Sequence, residues 1–217
     1  MAINQSRKTQ AHIRYKNSAG LIVPGVTTIL GILNKPALII WANRLGLQGI
    51  DSTKYRDEAA DIGTLAHHLV ISHLQKAEPD TSDYSAIQID QANNAFQNYL
   101  AWERGHIVKP LMVETPFVSE EKGFGGTIDF YGLVDDITTI IDFKTGSGFY
   151  PEHLYQVAAY RVLLREAEYR IGQVKILRIG RKVAEGFEEK TVYNLDKETD
   201  IFLHCLAIYK LQHDEPK

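Results

Sequence analysis

The chain has 217 residues, 44% of them hydrophobic and 24% charged, which suits one substantial α/β domain and excludes disorder throughout. A formal net charge of -3 argues against a protein that coats nucleic acid with its whole surface, while leaving room for an enzyme that meets DNA in one cationic groove. The single cysteine, Cys205, allows neither an internal disulfide nor a four-cysteine zinc or iron–sulfur site.

The first residues, MAINQSRKTQAHIRYK, are polar and lack the apolar stretch of a secretory signal. No apolar run approaches the ~20 residues that span a bilayer, so the expectation is a cytoplasmic protein with no membrane partner. Ala11–Val23 reads as a hairpin turning at Asn17–Gly20, and Val26–Leu33 as a short helical or mixed segment stopped near Pro36. Pro36–Leu47 predicts a second helix. Between Thr53 and Leu74 the apolar residues Ile62, Leu65, Ala66 and Leu69 recur at helical spacing and form one buried stripe. Ser85–Arg104 repeats the pattern, with Ala92, Ala95, Phe96, Tyr99 and Leu100 on one face.

After Gly105 the pattern turns to strands. Leu111–Ser119, Gly126–Val134 and Thr138–Lys144 are β-type runs with short connections, which predicts an antiparallel meander. Pro151 opens a helix to about Glu166. Val174–Arg181 and Thr191–Asn194 predict two more strands, and Asp196 to about Gln212 a closing helix. The order implies an α/β fold with a mixed central sheet flanked by helices. A single domain over 1–217 is expected, with 1–50 forming the hairpin and first helices and 51–217 the core.

The chemistry concentrates in the meander. A strand's period of two puts Asp142 and Lys144 on one face and Phe143 on the other. If the meander pairs in register, Asp129 lies beside Asp142. Two carboxylates repel one another at close range, and a divalent cation relieves that repulsion. Oxygen ligands of this type suit Mg²⁺ or Mn²⁺. A lysine beside such a metal can position a water or steady charge on a phosphate. Taken alone, the Asp142-Phe143-Lys144 triplet also reads as a solvated strand face with a surface ion pair.

Five separated segments then resemble the PD-(D/E)xK nucleases. They are Gly63-Thr64-Leu65-Ala66-His67, Glu114 within Val113–Phe117, Gly126-Thr127-Ile128-Asp129, Asp142-Phe143-Lys144-Thr145-Gly146, and Gln156-Val157-Ala158-Ala159-Tyr160. Their order is similar to that of the RecB-like exonuclease group, which includes phage exonucleases and a mitochondrial genome maintenance exonuclease. Val23–Leu30 is similar to that group's opening motif, with Gly25 where serine is more usual. The resemblance implies a restriction-endonuclease-like core and a metal-dependent exonuclease acting on single-stranded DNA or DNA ends, in recombination, repair or replication. It implies that His67, Asp129, Asp142 and the Phe143 carbonyl hold metal, and that Glu114 binds a second metal or orients the attacking water. Lys144 would assist that water, Gln156 and Tyr160 would orient Lys144 and the strand, and Thr28 and Thr145 would hold phosphates. The group's iron–sulfur cysteines are missing, so no cluster is expected. No nucleotide-binding G-x-x-x-x-G-K-[ST] loop is present, so unwinding would fall to a helicase, recombinase or single-strand-binding partner.

Three other readings are kept. They are a structure-specific endonuclease of the same fold, a DNA-binding module that does not cleave, and a small-molecule metal hydrolase. Lys175, Arg178, Arg181 and Lys182 read either as a solvated face or as a track for phosphates. Trp41, Trp102, Phe149 and Tyr150 read as core or rim residues, or as platforms for bases.

Overall fold

The computed structural model describes residues 14–213, so Ala11–Ile13 of the expected hairpin lie outside the described residues. The rest of the hairpin forms as β1 (Tyr15–Lys16) and β2 (Ile22–Val23), antiparallel, with Tyr15 opposite Val23. The helix α1 (Val26–Leu30) follows, then α2 (Pro36–Leu47), where Pro36 presets the first turn. The long helix α3 (Ser52–Gln75) begins where the Asp51 side chain accepts the Thr53 and Lys54 amides, and stops where Lys76 turns left-handed at φ 55°. The helix α4 (Ala86–Glu103) starts with a reciprocal capping box between Ser85 and Gln88.

The chain then builds β3 (Val108–Ser119), β4 (Phe124–Val134) and β5 (Ile137–Lys144), the helix α5 (Pro151–Glu166), β6 (Gln173–Ile179), β7 (Phe187–Val192) and the helix α6 (Asp196–His213). The main sheet has five strands in the order β3-β4-β5-β6-β7. The expected antiparallel meander is present, β5 and β6 are parallel across α5, and β7 returns antiparallel. The last strand is Phe187–Val192 instead of the expected Thr191–Asn194, since its polar Glu188-Glu189-Lys190 run occupies a mostly exposed sheet edge.

Both faces of the sheet are covered. Ile128, Ile140 and Ile176 pack with Val157 and Leu164 of α5 and Phe202 of α6. Phe130, Ile141, Phe143 and Leu177 pack the other way, on Leu65 and Leu69 of α3 and Tyr99 of α4. Burial on both faces explains the unbroken apolar pairs Ile140-Ile141 and Ile176-Leu177. Cys205 is buried among the α6 core residues. Among the described residues, no helix is long and apolar enough to cross a membrane.

Candidate active site

The site forms where the sheet forks. β4 and β5 pair from Val134–Ile137 as far as Phe130–Ile141, one residue short of Asp129 and Asp142. Beyond that point β4 runs beside β3, and the end of β5 runs beside β6. Asp129 bridges the opening, because its Oδ2 accepts the Phe143 backbone N–H at 3.0 Å. A donor freed by the fork thereby finds an acceptor, and the carboxylate is fixed against β5.

Side-chain alternation changes phase at the same level. On β4, Phe124 and Ile128 face the α5 layer, whereas Phe130 and Val134 face α3 and α4. Strict alternation would place all four on one face. On β3, Phe117 faces the α5 layer and Val113 the other. Between them Glu114 takes φ +49°. That conformation costs about 1–3 kcal/mol for a residue of this kind, and such strain concentrates at functional sites. Regular alternation along β3 is therefore broken at Glu114. The irregularity leaves Glu114 exposed at the rim, close enough to His67 to raise its basicity.

Asp142 is fully buried, at 0% exposure. Lys144 Nζ stands 2.7 Å from its Oδ2, while Oδ1 has no hydrogen-bond partner among the described residues. Burial pushes the Asp142 carboxyl up to about 6; Lys144 opposes the rise and Asp129 adds to it. Burial also raises Asp129, against the pull of Lys144 and of the Phe143 N–H.

His67 Nδ1 lies 3.6 Å from Asp129 Oδ2, with its ring edge-on to Phe143 at a centroid distance of 6.0 Å. Burial and then Lys144 lower its pKa, which favours the neutral imidazole that a metal ligand must be. Gly63 explains how α3 comes so near. A Cβ there would sit 2.9 Å from Thr145 Oγ1, so only glycine lets α3 settle on the end of β5 without displacing Thr145. His67 follows one turn later, on the same side of the helix.

Lys144 is held from the other side. Its Nζ donates to Gln156 Oε1 at 2.9 Å, and Gln156 Nε2 donates to Tyr160 Oη at 2.6 Å. The spacing of four residues on α5 places both polar ends in one row. Burial, with Asp142 and Asp129 nearby, raises the Tyr160 phenol far above its ordinary range, so it stays protonated. Gly126 makes room for Tyr160, because a Cβ there would fall 2.8 Å from its ring.

The structure therefore draws together His67, Asp129, Asp142, Phe143, Lys144, Gln156 and Tyr160, with Glu114 and Thr145 at the margin. Thr28 stands exposed on α1, beside Gly25, and makes no hydrogen bond to them among the described residues. One participant had no signal in the sequence. Tyr15, from the hairpin, bonds Thr127 Oγ1 at 2.9 Å and packs its ring on Gly125, where a Cβ would meet Tyr15 Cγ at 2.4 Å. Its hydrogen-bond partner lies 112 positions away along the chain.

The basic cluster of β6 has a structural task. Lys175 and Arg178 are 6% and 5% exposed; Lys175 pairs with Glu189 of β7, and Arg178 with Glu188 at 2.9 Å. They are neutralised inside the fold, so they do not form a phosphate track. Trp102 is core, its Nε1 donating to Glu189 at 2.8 Å.

The donor set fits a hard divalent cation. Asp142 is a buried carboxylate with one oxygen lacking a hydrogen bond and a single ammonium partner, and Asp129, Glu114 and a neutral His67 stand nearby. Oxygen-rich sets of this kind select Mg²⁺ or Mn²⁺. Among the described residues, no three His, Cys, Asp or Glu side chains are already gathered as a metal-ligand group. Lys144 occupies the cationic position beside Asp142.

No family model matches the sequence, and no curated protein matches it. Solved structures do resemble the fold. One, from Eubacterium rectale, is provisionally assigned as an exonuclease; it is 10% identical, with a TM-score of 0.44 over 72% of this chain and 69% of that one. An alkaline exonuclease from Laribacter hongkongensis, LHK-Exo, is 16% identical, with a TM-score of 0.34 over 68% and 80% of the two chains. The same exonuclease in complex with dAMP gives 14% identity and a TM-score of 0.35 over 71% and 88%.

Proposed function

We propose that this chain is a divalent-metal-dependent deoxyribonuclease of the RecB-like PD-(D/E)xK type, acting as an exonuclease on single-stranded DNA or DNA ends. The observation that carries the reading is the fork in the sheet. It sets Asp129 and a buried Asp142 with an unpartnered oxygen beside Lys144. A structural ion pair would call for none of the surrounding apparatus. The substrate class follows from the resemblance of the five sequence segments.

Asp129 and Asp142 would hold Mg²⁺ or Mn²⁺, with His67 and the Phe143 carbonyl completing the set and Glu114 serving a second ion or the attacking water. When bound, the cation supplies a water of lowered pKa and neutralises phosphate charge. The chain's own residues supply the rest. Asp129, tied to the Phe143 amide, keeps its carboxylate at a fixed height on β5. Lys144, which lies beside Asp142 and donates to Gln156, would present its ammonium to the scissile phosphate and the incoming water. Gln156 and Tyr160 limit how far Lys144 can move, preserving its orientation.

Cleavage of end-labelled single- and double-stranded DNA in Mg²⁺, Mn²⁺ or chelator, by wild type and Lys144→Ala, tests the reading. Metal-dependent release of mononucleotides or short oligonucleotides, lost in the variant, supports it, and the position of the label gives the polarity. Cutting of a covalently closed circle would make the enzyme an endonuclease. DNA binding without products in any metal would make it a binding module.

A further inference from the structure

A cavity of about 340 Å³ opens between the start of α5 and the edge strand β7. Phe149 and Tyr150 from the β5–α5 connection, Tyr155 of α5 and Ile176 of β6 form its apolar walls. Lys190 of β7 and Lys197 of α6 supply its positive charge. The place is next to the fork. Ile176 is the register partner of Asp142 on the neighbouring strand, and Tyr155 immediately precedes the Gln156 that holds Lys144. Adjacent strands lie only ~4.8 Å apart.

The chemistry of this cavity differs from that of the metal site. It contains one acid, Glu198, against the two lysines. Neither lysine has an ion-pair partner among the described residues, unlike Lys175 and Arg178, which are paired inside the fold. Tyr150 is 50% exposed, yet it is held in place, with its hydroxyl 2.9 Å from Ser147 Oγ and its ring edge-on to His153 at 5.4 Å. One ordered, solvent-facing ring, Tyr150, with the partly buried rings of Phe149 and Tyr155 and two ammonium groups beside it, matches a stacked base and its phosphate. A purely apolar ligand would gain nothing from the lysines, and a bare anion nothing from three aromatic rings.

We propose that this cavity is a nucleobase subsite, which takes one unpaired nucleotide of the strand whose phosphodiester lies at the fork. The base stacks on Tyr150 and Phe149, and Lys190 and Lys197 meet the adjoining phosphates. The inference rests on the nuclease reading for the position of the strand, but its own test does not require cleavage.

The test is binding of a labelled single-stranded oligonucleotide in chelator, read by fluorescence anisotropy. Wild type is compared with Phe149→Ala/Tyr150→Ala and with Lys190→Ala/Lys197→Ala, each first shown to melt like wild type. Loss of stacking should weaken binding roughly tenfold. An abasic scan of the oligonucleotide should find one position where removing the base costs wild type a similar factor and costs the aromatic variant nothing. The lysine variant should bind with a salt dependence shallower by about 0.7 per lost phosphate contact. Aromatic-variant binding equal to wild type, with a flat abasic scan, overturns the subsite, and does so even if cleavage is robust. An abasic-sensitive position in a protein that cleaves nothing keeps the subsite and overturns the nuclease reading. A wild type that binds no DNA in chelator overturns the subsite and leaves the nuclease reading to the metal-dependent cleavage assay.

Discussion

Replacing Asp142 by asparagine should make the metal-free protein more stable while abolishing its activity. An acid held near 6 instead of 3.8 resists ionisation. At about 1.36 kcal/mol per pH unit, this corresponds to about 3 kcal/mol of destabilisation when the group is charged in the folded chain. The sign follows from the direction of the shift. The folded pKa lies above the unfolded one, so the penalty is absent below about pH 4, builds between about 4 and 6, and is complete above it. Asparagine keeps the shape and removes the charge, but leaves Lys144 with Gln156 alone. Part of the gain is lost there, and a net stabilisation of about 1–2 kcal/mol remains. For a chain of this size that raises the melting temperature by roughly 2–8 °C. Chemical denaturation of both proteins in chelator at pH 7.5 and pH 4.5 measures it. The advantage of the variant should be present at the higher pH and fade at the lower. A variant less stable than wild type at pH 7.5, or an advantage independent of pH, would refute the reasoning.

Three further outcomes are expected. Gly125→Ala drives a Cβ into the root of the Tyr15 ring and should cost about 1–3 kcal/mol, seen in urea denaturation, with much of the loss restored by adding Tyr15→Ala. Gln156→Ala removes the group that orients Lys144 and should lower kcat by tenfold or more with KM little changed, in steady-state cleavage assays. Lys175→Met leaves Glu189 without its buried cation and should cost about 3 kcal/mol in denaturant melts, while single-strand affinity stays at the wild-type value.

Much of the fold could be read from residues with strong local chemistry. Pro36 and Pro151 open their helices at the positions expected, and Asp51 and Ser85 cap α3 and α4 within a residue or two of theirs. The meander followed from its apolar runs and short turns; its pairing stops at Phe130–Ile141, one residue short of Asp129 and Asp142, and Asp129 meets β5 through the Phe143 amide. Local chemistry could not give what depends on distant partners. The φ of Glu114 is set by the irregularity of β3 against β4, and nothing in Val113–Phe117 signals it. The basic residues of β6 looked like a surface cluster because their neutralising glutamates come from a strand that itself reads as polar loop. Tyr15 completes the packing around Gly125 across more than half the chain, where no short pattern reaches.

Single-turnover cleavage of a short labelled single-stranded oligonucleotide in Mn²⁺, by wild type and Asp142→Asn, tests metal-dependent hydrolysis at the fork. Wild type should give product that disappears in chelator, and the folded, more stable variant should react at least about a thousandfold more slowly. Wild-type cleavage that persists in chelator, or cleavage by Asp142→Asn at the wild-type rate, would contradict that assignment.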